Sequence, residues 1–591
     1  MNDTLLKWDL KKYFYDSFKD PKYIEDKKAI SKGVKNFIQQ YRGIIKTIET
    51  NKEILSFLTS EEKLDETISK VLNFAYMNYY LNSEDEGIQK EIMVLESLTT
   101  KLSEDLLFVQ EEIKELGENK LLKFSEDPIL KDYKNYFYQI AKSLKYQLSN
   151  EVEKVLLQTS QSGFSAQLKL YDDLASSYQY PWEDTLLPEE ELLVKLEDVD
   201  ENIRKKAYLI LSKEYSKKER RTTHASIYTS VVKNWVTSGK IRGFTSPIQK
   251  HNIGEEISDK TVDTLLSTIE NSYSLFQKYL TLKAKVLGKK KLEIWDVYAP
   301  IGKIKKEFTP TQAINMVLTV LKKFDLNWYE FSKEMIECGR VDFMPKKGKS
   351  QGAFALYGKK QSSFVLLNYT NSLSDISTLI HELGHAYHGH LSQTQNSHSF
   401  DSPLILAETA SIFNELLLSE HFKTILSNEE KKEFLFKELD EVFGTIFKQT
   451  QYVLFERRIH NGVLEGEEYT QSDYSKIWRE ESQKLNGNCI KYYEKAEEET
   501  SWQRIPHIFR SPFYCYSYAF GNLLTYALYE QYIKDGRNTF LPKYRTILES
   551  GGSKTPQDLL KPLGFDLESE EFYMLGINML QKKLEELKKL I

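Results

Sequence analysis

With 591 residues, 40% hydrophobic and 28% charged, the chain has the balance of a soluble globular protein of several average domains or fewer large ones. A net charge of −6 offers no basic surface for nucleic acid, and no run approaches the roughly 18 apolar residues of a membrane span. Cys338, Cys489 and Cys515 are too widely spaced for a metal-ligand or redox pair, and an odd, low count fits a reducing, cytoplasmic compartment.

Taken in order, the chain opens with M-N-D-T-L-L-K-W-D-L, which lacks the basic region and apolar core of a secretory leader. From Ile24 to about Leu157 apolar residues recur at three- and four-residue steps, as in K-N-F-I-Q-Q-Y-R-G-I-I-K-T-I and S-K-V-L-N-F-A-Y-M-N-Y-Y-L. No fixed repeat period is present, so a helical bundle is expected, with Tyr76, Tyr79 and Tyr80 packed between helices. A small-residue break falls at Ser162 and Gly163. Residues 179–191, Q-Y-P-W-E-D-T-L-L-P-E-E-E, carry two prolines and an acidic run. They mark the expected boundary between an N-terminal helical lobe, 1–185, and a catalytic domain, 186–591. Helices resume at D-V-D-E-N-I-R-K-K-A-Y, and one more is expected from about Asp259 to Val286.

The pattern then turns β-like. Ala353–Tyr357 and Ser363–Asn368 read as a hairpin joined at Gly358–Gln361. An exposed strand edge lets an extended peptide add itself through main-chain hydrogen bonds, so Gly352, Ala353 and Phe354 are candidate substrate-binding residues.

The hairpin leads into I-H-E-L-G-H-A-Y-H, residues 380–388, which contains H-E-x-x-H. Ser372 or Ser374 can cap a helix here, with Asp375 in its first turn. His381 and His385 lie one turn apart on one face, spaced to grip a single zinc ion, and Glu382 is placed to take a proton from the water that the metal activates. Ile376, Leu379, Ile380, Leu383 and Tyr387 form the opposite, core-facing stripe. A second helix is expected from Ser402 as N-cap and Pro403 at the first position. It carries Glu408 and Glu415 about two turns apart among apolar residues, where an uncompensated carboxylate is costly. Two histidines, one glutamate and an open position make a catalytic zinc site, so Glu408 is the expected third ligand. His388 competes for that place by its angle on the helix; otherwise His388 and Glu415 support the ligands from behind.

Helices continue to about Leu464. W-Q-R-I-P-H-I-F-R-S-P-F-Y-C-Y-S-Y then crowds tyrosines around one histidine, and His507, Tyr514, Tyr516 and Tyr518 are candidate donors to the oxyanion of a tetrahedral intermediate. The C-terminal E-E-F-Y-M-L-G-I-N-M-L-Q-K-K-L is amphipathic and should dock as a cap.

These stretches resemble the oligoendopeptidase F group, within the thimet oligopeptidase family of metallopeptidases. The likeness rests on W-D-L-x-x-Y, D-V-D-E-N-I-R-K-K-A-Y, G-K-I-R-G-F-T-S-P, G-K-S-Q-G-A-F, the H-E-L-G-H helix, L-A-E-T-A-S-I-F-N-E and I-P-H-I-F-R-S-P-F-Y-C-Y-S-Y-A. It implies a mainly α-helical ellipsoid of two lobes enclosing a deep channel, with a small β-hairpin beside the zinc helix. It also implies an endopeptidase of short unstructured peptides that holds one Zn2+ per chain. By the same resemblance His381, His385 and Glu408 are the ligands, Glu382 the base, and His507 with Tyr514 and Tyr518 the assisting donors; Tyr516 could take either tyrosine's role. The oligomeric state is left open. A zinc exopeptidase and a non-catalytic peptide binder are the alternatives.

Overall fold

A computed structural model describes residues 6–302, 304 and 306–591; residues 1–5, the first of the segment read above as lacking a leader, lie outside the described residues. The described residues are 73% helical, as the spacing of apolar residues implied. Among the described residues no helix is long and apolar enough to cross a membrane. The contacts divide the chain into two compact units, each assembled from three separated stretches.

The first unit comprises Met1–Leu144, Lys306–Phe422 and Gln531–Gly564. Its N-terminal part is a bundle whose long helices start where side chains can cap them. Asp20 accepts from Lys22 N ahead of Pro21–Tyr41, a Thr50–Glu53 capping box opens Asn51–Leu81, and Asp85 caps Glu86–Glu115. Phe37, Phe57, Phe74 and Leu95 lie in the common core. Tyr76, Tyr79 and Tyr80 pack against it, with Tyr80 edge-on to Phe354 at 4.9 Å between ring centroids.

The hairpin is present but shorter than its sequence suggested, Phe354–Leu356 pairing antiparallel with Phe364–Leu366 in the register Ala355↔Val365. Val341–Asp342 adds a third, parallel strand on the far side of Phe364–Leu366, so Phe354–Leu356 is an edge. A two-residue strand has no alternation to read, which is why the sequence hid it. The opening W-D-L stretch covers this sheet, the Trp8 indole donating to the Val365 carbonyl at 2.8 Å.

Beside the sheet runs the motif helix, Leu373–Leu391, started by a capping box between Ser372 and Asp375. Its apolar stripe is fully buried as expected. Trp328 stacks on Tyr387 at 4.5 Å, and Asp325, the N-cap of Leu326–Glu337, receives the Tyr387 hydroxyl at 3.5 Å. Arg545, on the Arg537–Glu549 helix, closes this contact with both Nε and Nη2 on the Asp325 carboxylate.

The second unit comprises Lys145–Lys305, Lys423–Glu530 and Phe565–Ile591. The break at Gly163 separates Asn150–Ser162 from Phe164–Ser177 as expected. The proline-marked stretch is a hairpin inside this unit, Tyr180–Trp182 against Thr185–Leu187, and the compact units divide after Leu144 instead of at 185. Here proline and acidic residues end helices without ending a packed body, because Tyr180 and Tyr215 both donate to Glu189 at 2.5 Å and draw the segment inward. The single helix expected over 259–286 is two, Asp259–Asn271 and Tyr273–Val286. Ser272 ends the first by bonding its hydroxyl back to the Thr268 carbonyl at 2.8 Å. The C-terminal helix, Glu570–Lys588, docks through Phe572, Tyr573, Ile577 and Leu580.

Replacing Arg545 by Met removes the charged partner of a carboxylate that is 1% exposed. With Arg545 itself partly solvated, a loss of about 2 kcal/mol is expected, read as a lower guanidinium midpoint at unchanged slope.

Candidate metal centre and active site

The motif helix sets His381 and His385 one turn apart, with Nε2 atoms 3.1 Å from each other. Glu408 Oε2 stands 3.4 Å from His381 Nε2 and 3.3 Å from His385 Nε2. Among the described residues these three form the one group of at least three His, Cys, Asp or Glu side chains whose ligand atoms all lie within 4.8 Å. Two nitrogens and an oxygen at about 2.0–2.1 Å from a tetrahedral zinc would be about 3.3 Å apart. The three observed edges match that triangle, so the donor set fits zinc in both chemistry and spacing.

Glu408 does not sit within the helix expected from Ser402. Pro403 is the N-cap of a four-residue turn, Leu404–Ala407. Glu408 ends that turn at φ −85° and ψ 0°, and a new helix runs Thr409–Ile425. The Ser411 hydroxyl, bonded to the Glu408 carbonyl at 3.0 Å and to Oε2 at 2.7 Å, folds this corner and fixes the carboxylate's direction. The corner rests on the motif helix at Gly384, where a Cβ would lie 2.6 Å from Ser411 Cα and 2.8 Å from Ser411 N. Asn414 Nδ2 donates to the Ile380 carbonyl at 3.1 Å, and the Tyr544 hydroxyl to the Thr409 carbonyl at 3.0 Å. Sequence reading missed Gly384, Ser411 and Asn414, whose only signal was small or polar residues among apolar ones.

His388 is outside the three-atom group. It is 5% exposed, and its ring faces the backbone at Ala407, one residue before Glu408. Burial, aided by His385, pulls its pKa down to about 4, so it is a neutral prop behind Glu408. Glu415 lies behind His381, Oε1 2.5 Å from Nδ1. That bond fixes the tautomer that turns an Nε2 lone pair toward the group. Burial alone would lower the pKa of His381, but the Glu415 hydrogen bond and the charges of Glu415, Glu408 and Glu382 push it up to about 9. Glu408 goes the other way. Burial opposes its ionisation, yet His385, His381 and Ser411 hold its pKa down at about 2.

Glu382 is 7% exposed on the same helix. Burial raises its pKa above the ordinary carboxylate value, with Glu408 adding to the rise and His381, His385 and the Ala355 N–H opposing it. Glu382 thus faces the edge strand that carries Phe354. Just before that strand, Gly352 has φ +77°, and its carbonyl accepts from Asn368 Nδ2 at 2.8 Å. Tyr357, at the strand's end, packs where a Cβ on Gly389 would lie only 2.3 Å from its ring.

In the second unit His507, Tyr514 and Tyr518 gather into a group of their own. The Tyr514 ring lies parallel to His507, 3° between planes at 5.8 Å, and the Tyr518 hydroxyl is 3.3 Å from His507 Nε2. Tyr516 points elsewhere: it is fully buried and donates to Asn252 Oδ1 at 2.9 Å. Burial, with Arg510 nearby, lowers the pKa of His507, which favours its neutral form.

Comparison with known proteins places these residues in context. Residues 194–579 match Peptidase family M3, and residues 112–180 match the family described as Oligopeptidase F. The chain is 28% identical to an oligoendopeptidase F homolog of Borreliella burgdorferi, over 99% of this chain and 98% of that one. It is 26% identical to oligopeptidase PepF of Bacillus subtilis, over 94% and 83% respectively. Its fold resembles that of a peptidase candidate from Chlamydophila abortus, with TM-score 0.87, 25% identity, and 100% and 98% coverage. Oligoendopeptidase F from Enterococcus faecium has the same fold at TM-score 0.69 and 22% identity, with 96% and 98% coverage.

A methyl group at position 384 would push the Glu408 corner away from the histidines. Gly384→Ala is expected to weaken zinc affinity about tenfold or more and to lower the melting temperature, by chelator competition and calorimetry. Proton linkage gives a second test. With His381 protonated below about 9 and Glu408 ionised above about 2, zinc uptake must expel the proton carried by His381. Apparent zinc affinity should therefore rise about tenfold per pH unit between pH 6 and 8, with proton release measurable in a weakly buffered indicator solution.

Proposed function

Because the chain belongs to peptidase family M3 and is a metalloendopeptidase of the oligoendopeptidase F kind, we propose that it uses one zinc ion per chain to cut internal bonds of short, unstructured peptides. The observation that carries this reading is the triangle of His381 Nε2, His385 Nε2 and Glu408 Oε2 with the buried Glu382 beside it. When bound, zinc would supply Lewis acidity, making a water more acidic and drawing charge from the scissile carbonyl.

The side chains do the rest. Glu382 accepts the attacking water's proton on a carboxylate oxygen and delivers it to the leaving amine nitrogen, a task suited to a carboxylate whose pKa burial has raised. Glu415 holds His381 in one tautomer, and His388 steadies the chain at Glu408. Gly352, Ala353 and Phe354 offer main-chain groups to an extended substrate at the sheet edge. By the family resemblance, neutral His507 with Tyr518 and Tyr514 donates hydrogen bonds to the tetrahedral oxyanion. A cytoplasmic location is part of the same proposal, supported by three cysteines that are all free thiols.

Glu382→Gln is expected to retain zinc, by metal analysis, while losing about 10²–10⁴-fold in turnover. Wild-type enzyme should cut peptides blocked at both termini, with products read by mass spectrometry. Undiminished cleavage by the Gln variant would remove Glu382 as base, and failure on doubly blocked peptides would point to an exopeptidase.

A further inference from the structure

The turn that carries Tyr514 is built against its own sequence. Tyr514 N donates to the Ser511 carbonyl at 3.1 Å, Pro512 occupies the second position, and Phe513 the third with φ +68°. This is the pattern of a type II turn, whose third residue is ordinarily Gly or Asn because a side chain crowds the left-handed backbone. A phenylalanine there persists only if its surroundings hold it.

Two residues of the Gln449–Glu465 helix, one turn apart, do so. Glu456 Oε1 accepts the Phe513 N–H at 3.0 Å. The His460 ring closes edge-on over the Phe513 ring at 4.8 Å between centroids. Glu456, His460 and Phe513 are all 0% exposed, so this N–H has no recourse to bulk water. Burial pushes the Glu456 carboxyl up to about 8, which leaves it mainly uncharged at neutral pH and acting as a hydrogen-bond acceptor rather than an ion.

What leaves the turn is the His507 group. Ser511 N bonds the His507 carbonyl at 2.8 Å, Tyr514 lies parallel to the His507 ring, and Ser517 N bonds the Tyr514 carbonyl at 3.0 Å as the next helix begins. Releasing Phe513 would rotate the chain just where Tyr514 departs. We propose that Glu456 is a positioning residue for the reaction, holding Phe513 in its left-handed conformation so that Tyr514 and Tyr518 stay set against His507. The proposal rests on the reading of that group as oxyanion donors.

Glu456→Gln keeps an acceptor for the Phe513 N–H, whereas Glu456→Met keeps the volume and removes the acceptor. Both are assayed on an internally quenched peptide, alone and in a His507→Ala background, with zinc content and melting temperature recorded. Expected are a kcat within about threefold of wild type for the Gln variant and a fall of about 10–100-fold for Met, at KM within about twofold and unchanged zinc, since small misplacements of catalytic groups cost on this scale. In the His507→Ala background the Met substitution should cost little more, because the group is already disabled. Equal losses in both backgrounds, a Gln variant as poor as Met, or an active Met variant would overturn the proposal. A Met variant that fails to fold would overturn it too, since the bond would then serve the fold at large. If His507→Ala alone leaves kcat intact, the oxyanion reading fails and takes this proposal with it; if His507→Ala is impaired while Glu456→Met is not, only the positioning role falls.

Discussion

At Gly384 the motif helix has no side chain, and the backbone of Ala410 and Ser411 comes closer than any Cβ would allow. That approach lets a carboxylate from a separate stretch of chain meet two imidazoles on a helix. Were the corner held off by a methyl group, Glu408 would be displaced by a sizeable fraction of a metal–ligand bond. The surroundings are arranged to keep this contact. Tyr544 and Asn414 tie the return chain, and Asp325 with Arg545 and Trp328 clamps the helix at Tyr387. Gly389 performs the same service for Tyr357 on the strand side, so one helix accepts two close neighbours through its two interior glycines.

Charge explains why so much packing is spent here. Glu382, Glu408 and Glu415 surround His381, and their field raises its pKa although burial alone would lower it. A divalent ion would satisfy the same ligands and release the His381 proton, which is the physical sense in which these residues suit zinc. Glu382 stands apart because burial dominates its balance, leaving a carboxyl readier than most to hold a proton for part of a reaction cycle.

Several elements were legible because they obey local rules. Ser372 with Asp375, Thr50 with Glu53 and Pro21 start helices by bonds made within a few residues. The buried stripe of Ile376, Leu379, Ile380 and Leu383 follows from helical periodicity alone. Others were hidden because no local rule encodes them. Ser402 and Pro403 promise one unbroken helix, and the corner at Glu408 arises from Ser411 and from contact with a distant glycine. The proline-marked stretch at 179–191 looks like a boundary, yet it folds inward through Glu189, which is bonded by tyrosines from either side of it in sequence. Val341–Asp342 is a strand only because Phe364–Leu366 lies beside it.

The sequence by itself therefore determined a mainly helical chain, the pair of histidines one turn apart, the adjacent glutamate and the family that these signatures mark. Each of these depends on residues near one another along the chain, where helical geometry leaves little freedom. Tertiary structure decided which carboxylate completes the triangle, that His388 stands behind it, and that Tyr516 turns to Asn252 while Tyr514 and Tyr518 meet His507. Those outcomes turn on shifts of an ångström or a single rotation at a corner. They are fixed by contacts between residues far apart in sequence, which periodicity and spacing cannot register.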